Sequence, residues 1–214
     1  MKNALAAALL VAALGAATPA RAQVFGQFTS AATVPTNGHL FGAYLTASQS
    51  VIGGLAQLRL SFYPNVDFGF HGGLTRLDRG ALGSDLTTLR IGGDLRWQVV
   101  HAAQGARMDV AVGGALGVET ADDFKVVSLG PSVVASRSLS VGDAAGIVPY
   151  AGLGLDFSSR DAFGIKDSDV SLPLRLGMEA RLAPEFRVVV ELQVFITDRY
   201  NDDVGFAGGV NLPF

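Results

Sequence analysis

The sequence predicts an all-β chain folded as an antiparallel up-and-down transmembrane β-barrel. Three observations predict it: an apolar leader, a hydrophobic mature chain without a helical membrane span, and apolar residues at alternate positions in segments of roughly ten. The leader begins Met1-Lys2-Asn3, continues as an Ala/Leu/Val run from Ala4 to Ala17, and ends Ala20-Arg21-Ala22. A positive start, a short apolar run and an A-x-A site make a secretory signal peptide, so residues 1–22 are expected to be removed after Ala22, leaving Gln23 first. The run is shorter than the ~20 residues a spanning helix needs and stops at Thr18-Pro19, which argues against an N-terminal anchor.

Loss of Lys2 and Arg21 leaves 14 basic against 19 acidic side chains, a mature net charge of −5. Such a chain has no electrostatic attraction for nucleic acid. With no cysteine there are no disulfides, no thiolate metal sites and no lipid attachment through a terminal Cys. The mean hydropathy is nevertheless +0.36. An exported chain this apolar, with no helical span, either buries its apolar residues in a soluble core or shows them to lipid as strands.

The rhythm is clearest over residues 89–99. Leu89, Ile91, Gly93, Leu95, Trp97 and Val99 share one face, and Arg90, Gly92, Asp94, Arg96 and Gln98 share the other. The same alternation sets Leu58, Leu60 and Phe62 against Arg59, and Val66, Phe68 and Phe70 against Asp67 and His71. It sets Met108, Val110 and Val112 against Asp109, and Leu174, Leu176 and Met178 against Arg175, Glu179 and Arg181. Val188, Val190 and Leu192 likewise oppose Arg187 and Glu191. Two segments, 124–139 and 147–158, carry Pro131 and Pro149 on the apolar parity and are expected to be irregular there. With a first strand near His39–Ala47 and a last over 204–214, the count is ten; eight is the alternative. An even count puts both termini on one side.

Tight connections at Pro64-Asn65, His101–Ala106, Leu139–Gly146 and Ala183–Glu185 alternate with polar, longer ones at Leu77–Asp85, Thr120–Asp123, Ser159–Asp169 and Asp198–Asp203. That is the barrel pattern of short periplasmic turns and longer outer loops. Residues 37–214 form the barrel, and 23–36 are expected to be a periplasmic lead-in.

Alternation alone suits a soluble lipocalin-like barrel equally well, with the faces reversed. Three features favour charges inside and lipid outside. The polar parity is mostly Gly, Ala and Ser, leaving room for long side chains in a confined lumen. Its charges nearly cancel, Arg59, Arg90, Arg96, Arg175, Arg181 and Arg187 against Asp94, Asp109, Asp156, Glu179 and Glu191, as a confined network requires. Hairpin registers set Asp109 opposite Gln98 and diagonal to Arg96, Glu179 diagonal to Arg187, and Glu191 diagonal to Arg175. Third, Phe62, Phe68, Trp97, Phe186 and Phe214 gather near the predicted periplasmic ends, like an interfacial girdle.

The final strand, Phe206-Ala207-Gly208-Gly209-Val210-Asn211-Leu212-Pro213-Phe214, resembles the terminal strand of bacterial outer-membrane proteins. The mature chain as a whole is similar in architecture to small OmpA-like and OmpX-like barrels. The resemblance implies residence in the outer membrane of a Gram-negative bacterium, contact with membrane lipid and lipopolysaccharide, and reading of Phe214 by the barrel-assembly machinery.

Little chemistry is visible. Barrels of this kind that act as enzymes resemble one another in a rim histidine with a Ser or acidic partner, whereas His39 and His101 fall at predicted periplasmic positions and His71 points into the lumen at mid-height. No enzymatic activity, cofactor or resident metal is expected. Asp122-Asp123, Asp198 and Asp202-Asp203 are candidates for Ca²⁺ or for lipopolysaccharide bridged by divalent ions, and equally are ordinary turn formers. The lumen charges form either a structural plug or a narrow polar path. An interior this size is filled by its own side chains, so the expected role is structural or interactive, with a narrow channel or transport accessory as the alternative and a lipid-modifying enzyme behind it.

Overall fold

The computed structural model describes residues 27–48, 51–78, 85–141, 145–162, 164–196 and 204–214. Twelve strand segments make up the sheet: β1 (His39–Ala47), β2 (Val51–Tyr63), β3 (Val66–Leu77), β4 (Leu86–Val100), β5 (Asp109–Ala121), β6 (Phe124–Ser136), β7 (Leu139–Val141), β8 (Ala145–Gly154), β9 (Asp156–Ala162), β10 (Ile165–Ala183), β11 (Phe186–Ile196) and β12 (Val204–Pro213). β7 continues β6 and β9 continues β8, so the segments form ten staves. All pair antiparallel, and β12 pairs with both β11 and β1, closing the barrel. The one described helix is a 3-10 turn at Ala102–Gln104.

Both breaks lie opposite proline. Leu155, between β8 and β9, faces Pro131: its N–H reaches the Pro131 carbonyl at 3.0 Å, and Pro131 has no N–H to return. The Leu155 carbonyl instead turns toward Gly130, where a Cβ would overlap it. Arg137, just past β6, donates to the Pro149 carbonyl at 3.2 Å and again meets a residue without a donor. The irregularity expected at these prolines is therefore a loss of ladder bonds without loss of register.

Following paired residues around the barrel from Ser136 leads through Tyr150, Gly177, Glu191, Ala207, Thr46, Gly53 and Thr75 to Thr88. One residue on, Leu89 pairs with Thr120 and Thr120 with Lys125, so the row returns to β6 at Phe124, twelve residues from its start. That stagger accompanies a strand tilt of roughly 35–45° and, with ten staves, a lumen wider than that of an eight-stranded barrel.

The charged parity points inward. In β4, Arg90, Asp94, Arg96 and Gln98 are buried, and Leu89, Ile91, Leu95, Trp97 and Val99 are exposed. The reversed, soluble arrangement is excluded by this pattern, which recurs in β2, β3, β5, β10 and β11. Exposed Phe62, Trp97, Phe186 and Phe214 sit at the end where β1 begins and β12 finishes, here the terminal end, with Phe68 packed 6.2 Å from Phe62. At this terminal end His39 N–H donates to the Phe214 carbonyl at 3.1 Å, and Phe214 N–H donates back at 3.0 Å.

Several connections differ from expectation. Thr120–Asp123 is a tight turn at Asp122-Asp123, with Asp123 at φ 56°, not a longer loop. Ser159–Asp169 is mostly strand, because β9 and β10 run on as a hairpin that turns at Gly164, φ 81°. Residues 79–84 and 197–203, which hold the other two loops, and 142–144, where the Leu139–Gly146 turn closes, lie outside the described residues.

The largest correction concerns the lead-in. Residues 27–34 lie inside the barrel: Gln27, Phe28, Thr29, Ser30, Ala31 and Val34 are all buried. Ten staves lined by Gly, Ala and Ser leave more room than their own side chains fill, and this segment fills it. It enters at Asn37, whose N–H donates to the Ser61 carbonyl at 2.8 Å, and runs inward to Gln27, beside Ala115, Asp156 and Arg175.

Candidate functional site

The interior is the one place where this fold concentrates chemistry. In its terminal half, four side chains from β2, β3 and β4 form a closed cage. Arg59 Nη2 lies 2.6 Å from Asp67 Oδ1 and 2.6 Å from Asp94 Oδ1, while its Nη1 reaches Asp94 Oδ2 at 3.1 Å. Arg96 grips the same Asp67 in bidentate fashion, Nε to Oδ1 at 3.1 Å and Nη2 to Oδ2 at 2.7 Å. All four are buried, and two cations face two anions. Ladder register brings them together: Asp67 pairs with Arg96, and Gly69 pairs with both Arg59 and Asp94. Glycine is required at 69 because a Cβ there would overlap the Arg59–Asp94 contact. His71 Nδ1 lies 3.7 Å from Asp94 Oδ2.

Three further groups surround the cage. Toward the loop end, Arg90 Nε is 3.0 Å from Glu119 Oε2, and Thr88 donates to Glu119 Oε1. Toward the terminal end, Glu179 Oε1 meets Arg181 at 3.0 Å and Arg187 at 3.4 Å. Across the lumen, Glu191 accepts from Tyr150 Oη at 2.7 Å and from Gln193 Nε2 at 2.6 Å. The Tyr150 ring lies over Gly177, where any Cβ would collide with it. Tyr44 Oη donates to Asn211, and Asn211 Nδ2 donates to the Phe28 carbonyl at 3.0 Å.

Of the pairings expected from register, Glu179 meets Arg187 diagonally; Asp109 is not opposite Gln98, because a register shift between Gln98 and Val100 pairs Gln98 with Ala111, and Asp109 accepts from Gln98 Nε2 at 2.9 Å from a diagonal position. Asp109 does not reach Arg96; its carboxylate also accepts from the Ala102 N–H at 2.8 Å and so closes the β4–β5 turn. Glu191 and Arg175 are diagonal, as Gly177 pairs with Glu191, but Tyr150 and Gln193 occupy the carboxylate instead. Arg175 and Asp156 both line a cavity of about 30 Å³ and form no ion pair among the described residues. Sequence reasoning left Asp67 and Glu119 out of the network, although both stand on the polar parity of their strands. It had no signal for Tyr44, Tyr150 and Asn211.

The two ends of the lumen are lined differently. At the terminal end, the cage extends into the inserted segment: Arg96 Nη1 donates to Thr29 Oγ1 and to the Ser30 carbonyl, and Asp67 Oδ2 accepts from the Val34 N–H at 3.0 Å. A cavity of about 480 Å³ below it opens between Pro35, Glu185, Arg187 and Phe214. Toward the loop end, Val51, Leu77, Phe124 and Val126 are buried together as an apolar cluster, with Leu86, Ala121 and Ala162 packed against it, forming an apolar collar along the β2–β6 and β9 side of the wall.

Among the described residues no cluster of three or more His, Asp or Glu is placed to hold a metal. Asp122 and Asp123 form a turn, and Asp198, Asp202 and Asp203 lie outside the described residues. His39 stacks on Phe214 with ring centroids 5.3 Å apart.

No family model matches the chain, and no curated protein sequence matches it. Among solved structures it is similar to the β-domain of the Bordetella autotransporter BrkA, at 13% identity and TM-score 0.52, covering 84% of this chain and 100% of that one. It is also similar to the N-terminal β-barrel domain of Pseudomonas aeruginosa OprF, at 9% identity and TM-score 0.37, covering 84% and 98%. A third is Ail, the attachment invasion locus protein of Yersinia pestis, at 15% identity and TM-score 0.33, covering 83% and 95%. The fold is that of bacterial outer-membrane β-barrels.

Proposed function

We propose that this protein is a closed barrel of the Gram-negative outer membrane that serves a structural or interaction role at the envelope and is not an enzyme. The observation that carries this reading is the filled lumen: an inserted segment bonded to a neutral ion-pair cage, with an apolar collar above it. A segment that fills the lumen blocks bulk solute, and apolar side chains toward the loop end disfavour water and ions there. The short-turn, terminal end faces the periplasm and the β9–β10 hairpin faces outward, as in other barrels with an even strand count.

The leader is removed after Ala22, and Phe214 is presented to the assembly machinery. The exposed apolar belt contacts membrane lipid and, on the outer side, lipopolysaccharide. A non-enzymatic role is supported by the histidine positions: His39 and His101 flank the terminal end, and His71 lies against the cage.

Planar-bilayer recording of the refolded protein tests the reading. No unitary conductance in salt is expected from protein that shows heat-modifiable mobility. Stable channels of uniform size would sink the closed-barrel reading in favour of the narrow channel.

A further inference from the structure

The inserted segment is bound as a ligand is bound. Six of its main-chain groups are met by five barrel side chains. Asn211 donates to the Phe28 carbonyl, Arg96 donates to the carbonyls of Ser30 and Ala32, Ser136 Oγ accepts from the Ala31 N–H at 3.0 Å, Gln98 Oε1 accepts from the Thr33 N–H at 3.1 Å, and Asp67 accepts from the Val34 N–H. None of these is a ladder bond. The one large apolar anchor is Phe28, whose ring lies 4.4 Å from that of Tyr44.

The barrel is complete without it. Every stave has its two neighbours, and the seam between β1 and β12 is formed from residues 40–47 and 206–213. Four of the five groups that hold the segment keep barrel partners of their own, and the fifth, Ser136, is uncharged: Arg96 keeps both contacts to Asp67, Asp67 keeps Arg59, Gln98 keeps Asp109, and Asn211 keeps Tyr44. Withdrawal would therefore strand no buried charge, the event that normally makes a core segment inseparable. The cavity of about 480 Å³ at the terminal end already gives access to Thr29, Ser30 and Val34.

We propose that the terminal half of the lumen is a socket for extended polypeptide, which residues 27–34 occupy in cis and from which they can be exchanged for a peptide of the same sequence. Recognition through the main chain makes the ligand class an extended peptide with one aromatic anchor. Access to the socket is from the terminal end, through that cavity. It goes beyond a closed barrel: loss of the socket would leave the absence of conductance untouched.

Binding of a fluorescent peptide copying residues 27–36 to the full-length protein in detergent micelles, read by anisotropy, tests the socket. Phe28→Ala weakens the cis occupant and leaves every barrel contact in place. It should tighten binding of the added peptide by about tenfold or more over the unchanged protein, where the tethered segment competes at roughly millimolar effective concentration. A second variant, Ala31→Cys with Ser136→Cys, should abolish binding when oxidised and recover it when reduced. Equal binding in the oxidised and reduced states overturns the proposal. So does an F28A protein that gains no binding, or one that no longer folds, since the segment would then be core.

Discussion

Arg59 and Asp94 reach each other over Gly69 of the intervening β3, with both Nη atoms of the guanidinium engaged, at 2.6 Å and 3.1 Å, and neither side chain touches solvent. In such a pair the attraction and the desolvation nearly cancel, so its removal as a unit and its interruption have very different costs.

Interrupting it should be expensive. Arg59→Ala removes the guanidinium bonded directly to Asp94 and halves the cationic partners of Asp67, and should destabilise the barrel by about 3–5 kcal/mol. The paired change Arg59→Met with Asp94→Leu should recover most of that loss. Urea unfolding followed by gel mobility measures both, and additive losses in the double variant would contradict a coupled cage.

The outer wall makes a depth-dependent prediction. Ile91 is exposed near the middle of β4, whereas Trp97 lies near its terminal end. Ile91→Arg should cost about 2–4 kcal/mol and Trp97→Arg about 0–1, because a cation at the bilayer centre cannot reach water. Trp97 is the only tryptophan in the chain, and brominated lipid should quench its emission. Equal costs, or no quenching, would mean that this face does not meet acyl chains.

How much of this was legible in the sequence follows from where each signal is stored. Facing is stored locally, in a period of two, so the inward set from Arg59 to Glu191 could be read residue by residue. Irregularity at Pro131 and Pro149 was equally local, since a missing N–H acts on the residue opposite. Partner choice is not local. Asp67 meets Arg59 and Arg96 because two hairpin registers converge on it, and Glu191 goes to Tyr150 because Gly177 lets that ring pass over β10. The inserted segment was least legible: Thr29, Ser30 and Thr33 look like any polar linker, and only the width left by ten staves gives them a place.

Closure should be a property of two seals in series. Leu77→Ser with Phe124→Ser hydrates the collar, and Phe28→Ala loosens the segment below. Each alteration alone should leave planar bilayers silent, while the two combined should give measurable conductance. Channels from the collar variant alone would show that the segment does not seal the terminal end.

The seam depends on Phe214. Its N–H and carbonyl both pair with His39, and its ring stacks on the imidazole, so it finishes the β1–β12 ladder that closes the barrel. Phe214→Ser keeps both backbone bonds and removes only the ring. The variant should therefore refold in detergent with less than about 1 kcal/mol lost, as for a solvent-facing aromatic pair, yet reach the membrane poorly in cells if the ring is what the assembly machinery reads. Comparing refolded stability with heat-modifiable protein recovered from outer membranes separates the two roles. Equal recovery of variant and parent protein in cells would confine Phe214 to closing the seam.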